Sequence, residues 1–79
     1  MPKLPALTAK ELVRILKREG FQEDRQKGSH LVLLHPVTMR RVVIPIHSGK
    51  TIKRPLLQSI IHKDMRISVD EFLRLVKER

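Results

Sequence analysis

No cysteine occurs in the 79 residues, tryptophan and tyrosine are absent, and the aromatic content is two phenylalanines. Without cysteine there is neither a disulfide framework nor a thiolate-ligated zinc site, which is compatible with a reducing compartment. Sequence-reading single-strand binders need exposed aromatic stacking platforms, and two phenylalanines leave no surplus for one. Phe21 and Phe72 are therefore expected in the core or at a helix cap. No apolar run approaches the ~18 residues of a membrane span. The start, Met1-Pro2-Lys3-Leu4-Pro5, lacks the apolar core of a signal peptide. The expectation is a soluble cytoplasmic protein with no membrane contact.

A further absence is local. None of the 8 acidic residues falls between positions 25 and 63, whereas that stretch carries Arg25, Lys27, Arg40, Arg41, Lys50, Lys53, Arg54 and Lys63. Over the whole chain 17 Lys and Arg give a formal net charge of +9. Cations gathered in the middle of a small chain suit a polyanion, with nucleic acid the first candidate. An acidic protein partner, or a merely solvated basic surface, would produce the same composition. The length points to one domain over 1–79, with a net stability of about 4–12 kcal/mol.

The pattern of elements is helix, three strands, helix, helix. Thr8-Ala9-Lys10-Glu11 has the spacing of a capping box, with Leu7 and Leu12 placed as a hydrophobic staple around it. Leu12, Val13, Ile15 and Leu16 form an apolar stripe, Lys17 and Arg18 suit the last turn, and Gly20 suits a left-handed terminus onto which Phe21 folds back. The spacing predicts a helix over 8–19. Residues 21–27 are a weak strand, 29–35 a strong one and 40–46 a β-branched one closed by Pro45, with reversals at Gly28-Ser29 and at 36–39. Pro55 fits the first turn of a second helix whose buried stripe is Leu56, Leu57, Ile60 and Ile61, with Lys53 and Arg54 adding to its positive end. Ser68-Val69-Asp70-Glu71 reads as a second capping box opening a helix over 68–77. This is an α+β chain: a helix, a three-stranded antiparallel sheet, a helix and an extra C-terminal helix.

Within that pattern Gln26-Lys27-Gly28-Ser29-His30 stands out. A glycine permits close backbone approach, a hydroxyl follows, and next comes the side chain whose charge changes near neutral pH. As residues alone, such a block is more often an ordinary hairpin turn than a site. The second histidine of interest, His47, precedes Lys50, Lys53 and Arg54, and is either structural or a phosphate contact or second acid/base. His35 and His62 carry no motif and are expected at the surface or partly packed. No two histidines have the spacing of a helical zinc motif, so no metal and no other cofactor is expected.

Gly20-Phe21 after a capped helix, Gln26-Lys27-Gly28-Ser29-His30 before a strand, and Val43-Ile44-Pro45-Ile46-His47-Ser48-Gly49-Lys50 before a helix together resemble the HicA toxins. The resemblance covers roughly 5–67, and helix 68–77 extends past that core. It implies a double-stranded-RNA-binding-domain-like fold and the toxin role of a type II toxin–antitoxin system. The implied activity is ribosome-independent, metal-independent cleavage of mRNA by an endoribonuclease. The implied partner is a HicB-type antitoxin, with the toxin a monomer alone and part of a hetero-oligomer when inhibited. The family's catalytic histidine corresponds to His30. Family members often carry a polar or aromatic residue after that histidine, where this chain has Leu31.

On that reading His30 is the general acid/base for attack of the 2′-hydroxyl on the neighbouring phosphodiester, an effect worth typically 10²–10⁴-fold. Lys27 and Arg25 would steady the extra charge on phosphorus, Gly28 would admit a phosphate, and Ser29 would orient it or the imidazole. Lys50, Lys53 and Arg54 would hold neighbouring phosphates. Binding through backbone phosphates implies modest sequence selectivity and steep weakening with salt. The alternative is a non-catalytic RNA-binding module on the same fold.

Overall fold

The computed structural model describes residues 3–47 and 49–78. Helix α1 is Ala9–Arg18, and both halves of its capping box form. The Thr8 hydroxyl accepts from the Glu11 N–H at 3.2 Å, and the Glu11 carboxylate accepts from the Thr8 N–H at 3.0 Å. Leu7 and Leu12, the expected staple, are fully buried. At the other end Gly20 takes φ +100, the Gly20 N–H bonds to the Lys17 carbonyl, and the Phe21 N–H reaches back to that of Leu16. This pair of bonds satisfies carbonyls that the helix end would leave bare.

Three strands follow, β1 (Gln22–Lys27), β2 (His30–Leu34) and β3 (Arg41–Pro45), antiparallel and in the order β1-β2-β3. Strand β1 has no buried residue, as its polar composition suggests, and it slips register between Glu23 and Arg25, leaving Asp24 as a bulge. Bulges and charges of this kind protect an edge strand from pairing with another chain. Central β2 buries Leu31 and Leu33 towards the helices, and β3 buries Val42 and Ile44 on the same side. After β3 the chain crosses the N-terminal segment, where Thr51 bridges Thr8 and the Ile52 N–H bonds to the Leu7 carbonyl at 2.7 Å.

Helix α2 (Arg54–Ser59) has Pro55 in its first turn and widens into a π-helical stretch, Ile60–Met65. Leu57, Ile60 and Ile61 are buried, but Leu56, expected on the same stripe, is exposed. Helix α3 (Val69–Lys77) starts with the Ser68 hydroxyl accepting from the Glu71 N–H at 3.1 Å. Glu71 does not return the bond, so the second box is only half formed. Phe72 is fully buried in the same core as Phe21, so α3 completes that core rather than decorating it.

His35 has a role that its lack of motif hid. Its Nδ1 accepts from the N–H groups of Val37 and Thr38 at 3.1 and 3.2 Å, and its Nε2 lies 3.1 Å from the Glu19 carbonyl. A carbonyl can only accept, so the ring carries its proton on Nε2. The Phe21 ring meets it edge-on at 5.2 Å. One imidazole thus ties the end of α1 to the turn between β2 and β3. A methyl group at Gly20 would stand 2.7 Å from that Nε2.

Gly20→Ala is therefore expected to lose about 2 kcal/mol, from both φ strain and the clash. His35→Ala should lose about 1–3 kcal/mol by stranding its partners. In the His35→Ala background Gly20→Ala should cost measurably less, because the clash is gone. Urea denaturation of the four proteins tests this, and strict additivity would refute the contact.

Candidate active site

The reversal Gly28-Ser29 joins β1 to β2 in two residues, with Gly28 at φ +55 and Ser29 outside the left-handed region. That is the pattern of a type II′ turn, whose first central residue is glycine. Nothing lies within 4 Å of a methyl group built on Gly28, so conformation rather than crowding demands the glycine. The Gln26 side-chain amide donates to the Gly28 carbonyl at 3.2 Å, and the Ile46 N–H bonds to the Ser29 carbonyl at 2.6 Å. The turn is thereby fastened on both sides.

A two-residue turn makes Lys27 and His30 direct cross-strand partners. Directly opposed side chains share a face and stand roughly 5 Å apart at Cβ. Since Leu31 and Leu33 point to the core, His30, Val32 and Leu34 lie on the opposite, outer face of β2. Register then places Arg25 and Val43 beside Val32, Pro45 beside His30 and Arg41 beside Leu34. His30 and Lys27 are exposed, and Arg25 and Arg41 stand exposed on the same face. Arg25 has Asp24 at 3.6 Å, a solvent-exposed pair of little energetic consequence.

The remaining candidates divide. Exposed His47 joins Gln26, Leu31, Ile46, Val13 and Gly49 around a mostly apolar groove of about 560 Å³ on the inner side of the same sheet end. The Lys50 N–H closes a turn on the His47 carbonyl. Lys53 and Arg54 line a separate depression with Leu4, Ala6 and Leu57, and no described contact brings them to His30. Ser48 lies outside the described residues. Arg41 and Gln26 are noted in the sequence but receive no role there. The odd–even pattern of β3 around buried Val42 and Ile44 was the available signal for Arg41. Among the described residues no group of three His, Asp or Glu side chains gathers in a metal-binding arrangement, and no helix is long and apolar enough to cross a membrane.

An exposed glycine–serine–histidine hairpin on a cationic sheet face, with the capped helix before it, coincides with a family match. Residues 9–67 fit the model of the family described as HicA toxin of bacterial toxin–antitoxin. The chain belongs to the HicA toxin family. A comparison with curated proteins yields no match. Membership makes this HicA protein the toxin side of a toxin–antitoxin pair, and the matched span contains the whole sheet with the Gly28-Ser29-His30 hairpin. Helix α3 lies outside it, although Phe72 belongs to the common core.

One carboxyl stands out near the toxin's sheet. Burial pushes Asp64 above its ordinary value, against the pull of Lys63 and of the Val43 backbone N–H. A carboxyl raised in the fold contributes stability when protonated, and that contribution is lost as pH rises through its folded-state value. The stability of Asp64→Asn relative to the parent should therefore increase as pH rises from about 4, read by urea denaturation at each pH. A pH-independent difference would refute the shift. Gly28→Ala should lower the melting midpoint by about 4–8 °C through backbone strain alone, and an unchanged midpoint would refute the turn assignment.

Proposed function

We propose that this HicA toxin is a ribosome-independent, metal-independent mRNA endoribonuclease in which His30 is the general acid/base. The observation that carries the reading is the exposed His30–Lys27 pair closing a fastened hairpin, on a sheet face that also presents Arg25 and Arg41. His30 takes the proton of a 2′-hydroxyl as that oxygen bonds to the adjacent phosphorus. The bond from phosphorus to the 5′-oxygen of the next nucleotide breaks, and that oxygen regains a proton. A group that exchanges this proton needs water access and a fixed position, and the end of a central strand provides both. Lys27, on the same face, offsets the charge growing on the phosphoryl oxygens, with Arg25 one cross-strand pair further along.

A methyl group built on Gly28 would meet nothing within 4 Å, which leaves room for a phosphate to approach the backbone there. His47 lies around the sheet end on the groove side, which suits an auxiliary contact better than a second proton-transfer group. Lys50, Lys53 and Arg54 contribute to the field that attracts RNA rather than to the reacting phosphate. A HicB-type antitoxin silences the toxin by denying RNA this face, converting a free monomer into a hetero-oligomer.

Purified protein in excess chelator should cleave RNA, and His30→Ala should slow cleavage by about 10²–10⁴-fold while keeping the parental melting midpoint. Lys27→Ala should slow it less than His30→Ala does. Equal cleavage by parent and His30→Ala refutes the catalytic assignment. A folded parent that binds RNA and never cleaves it marks a binding module instead.

A further inference from the structure

One charged cluster lies away from the reacting pair and shares only Arg41 with that face. At the end of the sheet away from His30, where β3 meets the close of the π-helical stretch, Met39, Arg40, Arg41, Lys63, Asp64 and Arg66 line a pocket of about 320 Å³. Four cations around one acid give it a formal charge of +3. The one acid, Asp64, is partly withdrawn from solvent. The Arg40 guanidinium donates to the Met65 carbonyl at 2.8 Å, which holds it in place and leaves its charge in the pocket.

The backbone here is unusual as well. Among the described residues Met39 (φ 61) and Arg66 (φ 58) are the two non-glycine residues in the left-handed region, and both line this pocket. Glycine takes that conformation freely, whereas an L side chain takes it at a cost. Arg66 ends a helix at the position where glycine is ordinarily preferred. An arginine there supplies charge at the expense of stability, and such a substitution at a strained position points to a ligand.

The sheet connects this pocket to His30. Pro45 is the cross-strand partner of His30, and Arg41 lies four residues back along β3 on the same outer face. At about 3.3 Å per residue that is roughly 13 Å, the reach of about four stacked nucleotides at ~3.4 Å per step, or fewer when extended. Arg25, Val32 and Val43 lie between. We propose that the pocket is a second phosphate site for the same single RNA strand, holding its backbone a few nucleotides from the bond presented to His30. The proposal rests on the reading of this face as the RNA-cleaving face, and it identifies the substrate as a single strand laid along the sheet. It is distinct from Lys53 and Arg54, which lie against the N-terminal segment.

The test uses full-length His30→Ala protein, so that RNA survives, and labelled oligouridylates of two to ten nucleotides read by fluorescence anisotropy. Affinity should rise in a step of about tenfold once the oligonucleotide passes roughly three to five nucleotides. Arg66→Gly and Lys63→Ala should each weaken the long oligonucleotides several-fold and leave the dinucleotide unchanged. Each should also reduce the slope of log affinity against log salt by about 0.7. Arg66→Gly should at the same time raise the melting midpoint by roughly 4 °C, so its weaker binding cannot be unfolding. Equal losses at every length, or no loss, overturn the site. If both variants lose affinity for a polyglutamate peptide and keep it for RNA, the pocket takes an acidic protein and the proposal fails. Cleavage by His30→Ala at the parental rate would refute the catalytic assignment of His30 and not the pocket, which stands or falls by the length step. A missing step with His30-dependent cleavage would remove only the pocket.

Discussion

A strand pair joined by a two-residue reversal has one register, and in this molecule that register sets most of what the outer face presents. Gly28 supplies the left-handed residue that a turn this short requires. The bonds from Gln26 to the Gly28 carbonyl and from Ile46 to the Ser29 carbonyl then lock the turn to both neighbouring strands. Once the turn is set, Lys27 must face the same way as His30, and burial of Leu31 and Leu33 decides which way that is. A slip of one residue would send His30 towards the helices and a leucine into water, which the fully buried core of this small chain would not tolerate. Placement of the candidate catalytic group is therefore a consequence of core burial one and three residues further along the strand.

The opposite end of the sheet is held by different means. No short glycine turn closes β2 to β3; the reversal runs through His35, Pro36, Val37 and Thr38, and the His35 imidazole gathers its free N–H groups. The same ring holds the end of α1, so helix, turn and sheet meet at one side chain. Val37 and Met39 are 83% and 66% exposed, which shows how little apolar packing steadies that loop. Hydrogen bonds compensate where contacts are few, and Arg40 adds one to the Met65 carbonyl.

Helix α1 was legible in full because its signals are local: cap, staple, stripe and left-handed terminus are all read within a dozen residues. The face of His30 was not, because Leu31, Val32, Leu33 and Leu34 are apolar on both sides. The structure shows why such a pattern is stable there. Val32 points outward and is still buried, between cross-strand partners Arg25 and Val43, so the outer face demands apolar character at its centre as the core does. The bulge at Asp24 and the left-handed Arg66 were equally hidden, since neither carries the glycine that would announce it. Leu56 misled because the helical stripe was drawn with an α period, whereas the segment begins as a short α-helix and widens into a π turn that rotates later residues relative to earlier ones.

The acid-free run from 25 to 63 looked like one feature, but the fold distributes it over three places. Lys27 and Arg25 join His30 on the outer face; Lys53 and Arg54 border the N-terminal segment, with Lys50 in the turn after His47; Arg40, Arg41 and Lys63 meet Arg66 at the far corner of the sheet. Spreading cations this way raises the potential over a broad surface without forcing many like charges into contact, which favours capture of a polyanion at long range. At short range only groups on the outer face and its far corner share a straight path with His30. On the proposed reading, capture and positioning fall to different cations; salt weakens both, but only the second depends also on where the strand geometry places each charge.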